Sequence, residues 1–293
     1  MKSDIEIEKK SHNVLDVNFN DVKAGWEKWF LLRSDAHHDS RDCDRELELE
    51  HLELAKERGA HVLDFGDLFD AMQGRYDPRR SYPEMREDYA DAMISEKASY
   101  LDLIVKDAGK FYQPYKNLWL LQGYGNHETS IQRHVDTNLI ERFAYEMRKD
   151  GGIINTGGYG GWVVFHFTIA RTQRESIRLK YFHGSGGGGP VTKGVIQSNR
   201  QAVYLPDADI VVGGHIHESW ILPIPRERIS NGGIIGTDLQ YHVRTTTYKN
   251  DYMDGSGNWH VEGGKPPKPR GCVWLRFYLD RKHIRMQLIQ DVR

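Results

Sequence analysis

Residues 61–70 read HVLDFGDLFD, a short apolar run that ends on a glycine and two aspartates. A run of four to eight apolar residues bounded by turn signals has the form of a buried strand. The same form occurs upstream in KWFLLRSDAH (28–37) and downstream in NLWLLQGYGN (117–126), each ending in residues with oxygen or imidazole donors. Between the first two lies a charged stretch, 44–58, with Leu47, Leu49, Leu52 and Leu54 inside it and Gly59 after it. Leucines recurring in a charged segment closed by glycine predict a helix and its terminator. Strand, helix, strand, helix, strand with polar residues at each strand's carboxyl end predicts an α/β sheet, whose ligands gather outside those ends. Residues far apart in sequence should therefore converge in space.

The second half is richer in strands. GWVVFHFTIA (161–170), SIRLKYFHG (176–184) and DADIVVGGHIH (207–217) read as strands, and GCVWLRFYL (271–279) with HIRMQLIQDV (283–292) as a terminal hairpin. This predicts two sheets packed face to face under helices. No linker or solenoid repeat divides the chain, so residues 1–293 are expected to form one domain. Two segments, about 71–115 and 241–270, have the look of insertions, the second rich in Tyr, Gly and Pro.

Composition excludes several classes. A formal net charge of -2, with 28% charged residues, argues against a surface that coats nucleic acid wholesale. Cys43 and Cys272 have neither disulfide-framework nor zinc-finger spacing and read as buried thiols in a reducing compartment. The N-terminus lacks the apolar core of a signal peptide, and no run approaches the ~20 apolar residues of a membrane span. The expectation is a cytoplasmic protein with no membrane partner.

Five short motifs carry the chemistry: Asp35-Ala36-His37, Gly66-Asp67-Leu68-Phe69-Asp70, Gly125-Asn126-His127-Glu128, His183-Gly184 and Gly214-His215-Ile216-His217. Oxygen and imidazole donors without thiolate suit Mn²⁺, Fe or Zn²⁺. Two such ions about 3.5–4 Å apart can activate a water and clamp a phosphate. Asp35 and His37 can face one ion if the chain turns between them. Alternation along a strand would let His215 and His217 share a face while Ile216 packs behind. A single histidine among fourteen is more often a packing or surface residue; five motifs in order reverse that reading.

In that order the motifs resemble the signature of the calcineurin-like metallophosphoesterases, D-x-H, G-D-x-x-D, G-N-H-[DE], H, G-H-x-H, over residues 35–217. The resemblance implies an α/β fold, a four-layer αββα sandwich of two mixed β-sheets flanked by helices. It implies a first metal held by Asp35, His37 and His217, a bridging Asp67, and a second metal held by Asn126, His183 and His215. Mn²⁺ is the favoured pair, with Fe or Zn²⁺ also suited. His127 would be the catalytic histidine that is not a ligand, and Asp70 either its catalytic partner or a carboxylate at a helix start. The implied reaction is attack on a phosphoester by hydroxide held between the ions. YDPRRSY, HGSGGGGPVTKG and GNWHVEGGKPPKP resemble a phage-encoded branch, which would place the protein in the host cytoplasm.

The substrate is open among three readings. A phosphodiesterase acting on a nucleotide or single-stranded nucleic acid comes first: Arg75, Arg79 and Arg80 could hold flanking phosphates, and Tyr or Trp in 241–270 could stack a base. A phosphomonoesterase comes second. The family's protein-phosphatase branch carries arginines where this chain has Ala71 and Tyr124, which lowers that reading. A non-catalytic metal-bound scaffold is third. The Gly186–Gly189 run is either a phosphate cradle or a flexible turn. Oligomeric state is not legible.

Overall fold

The computed structural model describes all residues except 1–4, 72–84, 96, 98, 188, 190, 254 and 256–258. The first sheet has six strands in the order β13-β12-β3-β4-β5-β6: β3 (Glu27–Arg33), β4 (His61–Asp64), β5 (Trp119–Gln122), β6 (Asn155–Thr156), β12 (Gly271–Asp280) and β13 (His283–Val292). Its centre is parallel, with Phe30 beside His61 and Val62 beside Trp119. β12 joins antiparallel, and the expected terminal hairpin with β13 is present. The second sheet has seven strands: β1 (Glu6–Ser11), β2 (Val14–Val22), β7 (Gly160–Ile169), β8 (Gln173–Phe182), β9 (Ile210–Gly213), β11 (Ile235–Thr245) and β10 (Ser219–Ile229), in that spatial order. The fold is mixed α/β with two mixed sheets and helices, as the sequence predicts.

Period-two alternation decides which core each side chain joins. Phe30 and Leu32 on β3 face Val163, Phe165, Phe167, Ile210 and Val243 of the other sheet, forming the layer between the sheets. Leu31, between them in sequence, points the other way, into a second core with Leu47, Leu52, Ile104, Tyr112 and Phe143. That core is roofed by α1 (Arg45–Glu57), α3 (Tyr100–Tyr112) and α5 (Leu139–Arg148). The other α-helices among the described residues are α2 (Glu87–Ser95), α4 (Asn126–Val135), α6 (Val195–Tyr204) and α7 (Trp259–Glu262). On the outer face of the seven-stranded sheet, Gln240 of β11 donates to the carbonyls of Leu205 and Ala208, just past α6. Within 71–115, α3 is part of the core: Ile104 and Ala108 are fully buried. Arg75, Arg79 and Arg80 lie outside the described residues.

The parallel strands β3, β4 and β5 end at Arg33, Asp64 and Gln122, side by side. Beneath these ends Arg33, fully buried, bonds Asp64 at 2.9 Å and Glu48 of α1 at 2.5 Å, and Gln122 donates to Asp64 at 2.8 Å. A buried cation with two carboxylate partners fixes the platform from which the loops leave. Both cysteines are buried and free. No described helix is long and apolar enough to cross a membrane.

Candidate metal centre

The loops beyond the strand ends are tied to one another by backbone bonds that continue the ladder. Asp35 N–H donates to Gly66 O (2.9 Å) and His37 N–H to Asp67 O (3.1 Å). Gly214 N–H donates to His183 O (2.8 Å) and Tyr248 N–H to Asp35 O (3.0 Å). Gly66 is required at its turn: its φ is +107°, and a Cβ there would stand 2.4 Å from the Tyr124 carbonyl carbon.

All seven residues expected as ligands meet above this seam. Asp35, His37 and His217 have donor atoms within 4.8 Å of one another, as do Asp67, His183 and His215. In the first group His37 Nε2 lies 3.3 Å from His217 Nε2, and His217 Nε2 lies 3.4 Å from Asp35 Oδ1. In the second, His183 Nε2 is 3.1 Å from Asp67 Oδ2, and Asn126 Oδ1 is 3.2 Å from His183 Nε2 and 2.7 Å from His215 Nδ1. His183 Nε2 is 4.0 Å from Asp35 Oδ1, so the groups adjoin.

Two orienting bonds fix which ring nitrogen faces inward. A carbonyl can only accept, so His183 Nδ1–H donates to Phe65 O (3.0 Å) and His127 Nδ1–H to Asp70 O (2.6 Å). That leaves each Nε2 turned into the site. Such outer bonds are the usual means of setting a ligand's tautomer.

The electrostatics match a cation. Burial disfavours charge on Asp35, yet His183 and His217 hold its carboxyl at about 2. Asp67 is likewise held well below the usual range against burial, by His183 and His127. Conversely, burial would lower His183, but Asp67 and Asp35 push it up to about 10; His217 rises to about 9 against burial, through Asp251 and Asp35. Buried carboxylates facing imidazoles, with no thiolate in either group, fit a hard or borderline divalent ion.

Three details correct the sequence reading. His215 and His217 do not alternate along a strand: β9 stops at Gly213, and the two histidines sit in a bend with φ of 72° and 54°. Both reach the site because the chain turns at each of them. Asp70 meets His127 through its backbone carbonyl; its carboxylate oxygen is 3.9 Å from that ring but 3.0 Å from His37 Nδ1 and 3.2 Å from Lys249 Nζ. Tyr248 cannot stack a base, because it is fully buried under the Arg33 guanidinium, 4.8 Å from its ring.

Sequence reasoning missed several supporting residues. Asp251 stands 3.4 Å from His217 Nδ1 and Lys249 stands 3.2 Å from Asp70, but neither belongs to a motif. Glu128 closes the G-N-H-E motif and accepts from the N–H groups of Asp67 (3.2 Å), Phe69 (2.9 Å) and Gly125 (2.9 Å). Asp39 accepts from Asp70 and Ala71 N–H at 2.6 and 2.8 Å and from the Tyr100 hydroxyl. Its place just after the first motif was the available signal.

No protein-family model and no curated protein matches the chain. Among solved structures it is similar to vacuolar protein sorting 29 from Cryptosporidium parvum, at 13% identity and a TM-score of 0.35 over 92% of this chain and 100% of that one. A candidate 5′-nucleotidase from Staphylococcus aureus aligns at 11% identity and a TM-score of 0.45, over 90% of this chain and 54% of that one. A conserved uncharacterized protein from Streptococcus pneumoniae, described as a predicted phosphoesterase, aligns at 13% identity and a TM-score of 0.31, over 91% of both chains. At these levels of similarity the functional reading rests on this chain's own residues.

Proposed function

We propose that the protein is a dinuclear-metal phosphoesterase that hydrolyses phosphodiester bonds of a nucleotide or single-stranded nucleic acid. The observation that carries this reading is the pair of adjoining donor groups, Asp35/His37/His217 and Asp67/His183/His215 with Asn126. Asp35, His37 and His217 would hold one ion, Asn126, His183 and His215 the other, with Asp67 between them. Mn²⁺ is the favoured ion, and Fe or Zn²⁺ suits the same donors. When bound, such a pair supplies an activated water and charge stabilisation on phosphoryl oxygens.

The protein's own residues supply the rest. His127 is not needed as a ligand; its Nε2 lies 3.8 Å from Asp67 Oδ2, at the partly exposed edge of the site. Burial lowers its pKa, so it enters as a neutral ring, and a phosphate anion beside it favours the protonated form. There it can hydrogen-bond a phosphoryl oxygen or protonate the leaving oxygen. A diester is favoured because Ala71 and Tyr124 stand where the resembled phosphatases carry arginine. Tyr124 is committed to Asn138, with 3.1 Å between its hydroxyl and the amide oxygen.

The test is Mn²⁺-supported hydrolysis of bis-p-nitrophenyl phosphate against p-nitrophenyl phosphate, with His127→Ala and Asp67→Ala. Diester turnover lost in both variants is expected. Preference for the monoester would replace the diesterase reading by a phosphatase one. No turnover of either, with metal bound, would favour the scaffold.

A further inference from the structure

Behind the first donor group lies a buried chain of charges with a lysine at its centre. Lys249 is 5% exposed, and its Nζ lies 3.2 Å from Asp70 Oδ1 and 3.6 Å from Asp251 Oδ1. Each carboxylate reaches one histidine of that group: Asp70 Oδ1 is 3.0 Å from His37 Nδ1, and Asp251 Oδ2 is 3.4 Å from His217 Nδ1. The opposite nitrogens, His37 Nε2 and His217 Nε2, converge to 3.3 Å. Among the described residues the second group has no such device. His183 is oriented by the backbone carbonyl of Phe65, and His215 Nδ1 faces the neutral amide of Asn126.

The segment that delivers Lys249 is tied to the first motif. Thr247 Oγ1 donates to Asp35 O at 2.7 Å and accepts from Lys249 N–H at 3.0 Å, while Asn250 N–H donates to Asp42 O at 2.8 Å. The lysine therefore moves with the loop that carries Asp35 and His37.

We propose that Lys249 is a positioning residue for one half of the metal centre: it gathers Asp70 and Asp251 so that they aim His37 and His217 at a common point with Asp35. This rests on the dinuclear reading above. Two effects of the lysine on a bound cation oppose each other, which makes the proposal testable. A positive charge near the site repels a divalent ion, so a mere counter-charge would, on removal, leave Mn²⁺ binding tighter. A residue that orients ligands through carboxylates would, on removal, weaken it by about 10–100-fold.

Mn²⁺ binding is measured by calorimetry on the metal-free protein, on Lys249→Met, and on His217→Ala, which identifies the binding step belonging to this half. Lys249→Met is expected to weaken that step by about 10–100-fold and leave the other within about threefold. Lys249→Arg, which keeps the charge and the reach, is expected to recover most of the loss. Tighter binding, no change, or equal weakening of both steps would overturn the proposal. If Lys249→Met fails to fold, Asp251→Ala carries the test, with selective weakening of the same step expected and equal weakening refuting. Absence of Mn²⁺ binding by the unsubstituted protein would instead overturn the phosphoesterase reading, and the role of Lys249 with it.

Discussion

Gly125 packs against Asp67, the residue proposed to stand between the two metal ions. Its φ is −109°, which any residue adopts, so replacing it by alanine tests space alone. A Cβ at this position would stand 1.9 Å from Asp67 Oδ1, 2.4 Å from Asp67 N and 2.5 Å from Asp67 Cγ, where ordinary contact begins at 3.4 Å. Two of these atoms belong to the carboxylate, and the third is backbone in a turn held by Glu128. The shortest contact must open by about 1.5 Å, and rotation of the Asp67 side chain cannot relieve the clash with its own amide. Overpacking of this kind costs about 1–3 kcal/mol of stability, which a folded chain survives. A catalytic group misplaced by about 1 Å can cost about 100-fold in rate. Gly125→Ala is therefore expected to remain folded in urea denaturation, to bind Mn²⁺ more weakly in calorimetry, and to lose at least about 100-fold in diester turnover. Gly59→Ala is the control: its φ of +57° costs about 1–2 kcal/mol, but no atom lies within 4 Å of the added carbon. Metal binding there should match the unsubstituted protein. Full activity in Gly125→Ala would refute the placement of Asp67 at the centre.

Other expectations follow from the same geometry. His183 and His217, at about 10 and 9, each carry a proton at pH 7.5 that must leave before the ring can ligate. Mn²⁺ uptake should release about two protons per chain, read from calorimetric heats in buffers of different ionisation enthalpy. Affinity should rise with pH up to that range, and uptake without proton release would contradict it. His61 is lowered to about 4 by burial and by Lys28, below its ordinary 6.5. Above pH 6.5 it is neutral folded or unfolded; as pH falls from 6.5 toward 4 the unfolded chain takes up the proton first, and about 2–3 kcal/mol of stability is lost. His61→Asn should flatten that part of the urea-midpoint profile, and an unchanged slope would refute the assignment. Asp39→Ala strands two buried N–H groups, of Asp70 and Ala71, and should cost about 2–4 kcal/mol in chemical denaturation. A loss under 1 kcal/mol would mean that water or another acceptor replaces it.

The candidate ligands were legible because each motif stands just past an apolar run, and parallel strands bring such ends together. β3, β4, β5 and β9 all stop within a few residues of a motif. Other parts were hidden for identifiable reasons. β2 carries an alternating signal, since Leu15, Val17 and Phe19 are separated by polar residues and are all buried, whereas β1, EIEKKS, has none. β10 was concealed by Pro223 and Pro225, residues that argue against an interior strand. Among the described residues it lies at the sheet edge, paired only with β11, so the missing N–H groups leave few ladder bonds unmade. Lys249 and Asp251 had no local signal. A lysine two residues from an aspartate is ordinary, and it acquires meaning only when the loop is seen against Asp70 and His217.

The bend at His215 and His217 shows why local reasoning stops where it does. Asp35, His37, Asp67, Ala71, His215 and His217 all have positive φ, between 46° and 72°. For residues other than glycine this region costs about 1–2 kcal/mol each, so no local preference would select it six times at one place. Bonds from outside each segment hold it there: His215 N–H to both Asp35 oxygens, His37 N–H to Asp67 O, Ala71 N–H to Asp39. Periodicity extends a strand smoothly through Gly214-His215-Ile216-His217, because it has no access to those partners. Strain collected on the candidate ligands and held by long-range bonds has the form expected of a preorganised site. Its density here, and its coincidence with three of the five motifs, supports a metal centre independently of the motifs' resemblance to any family.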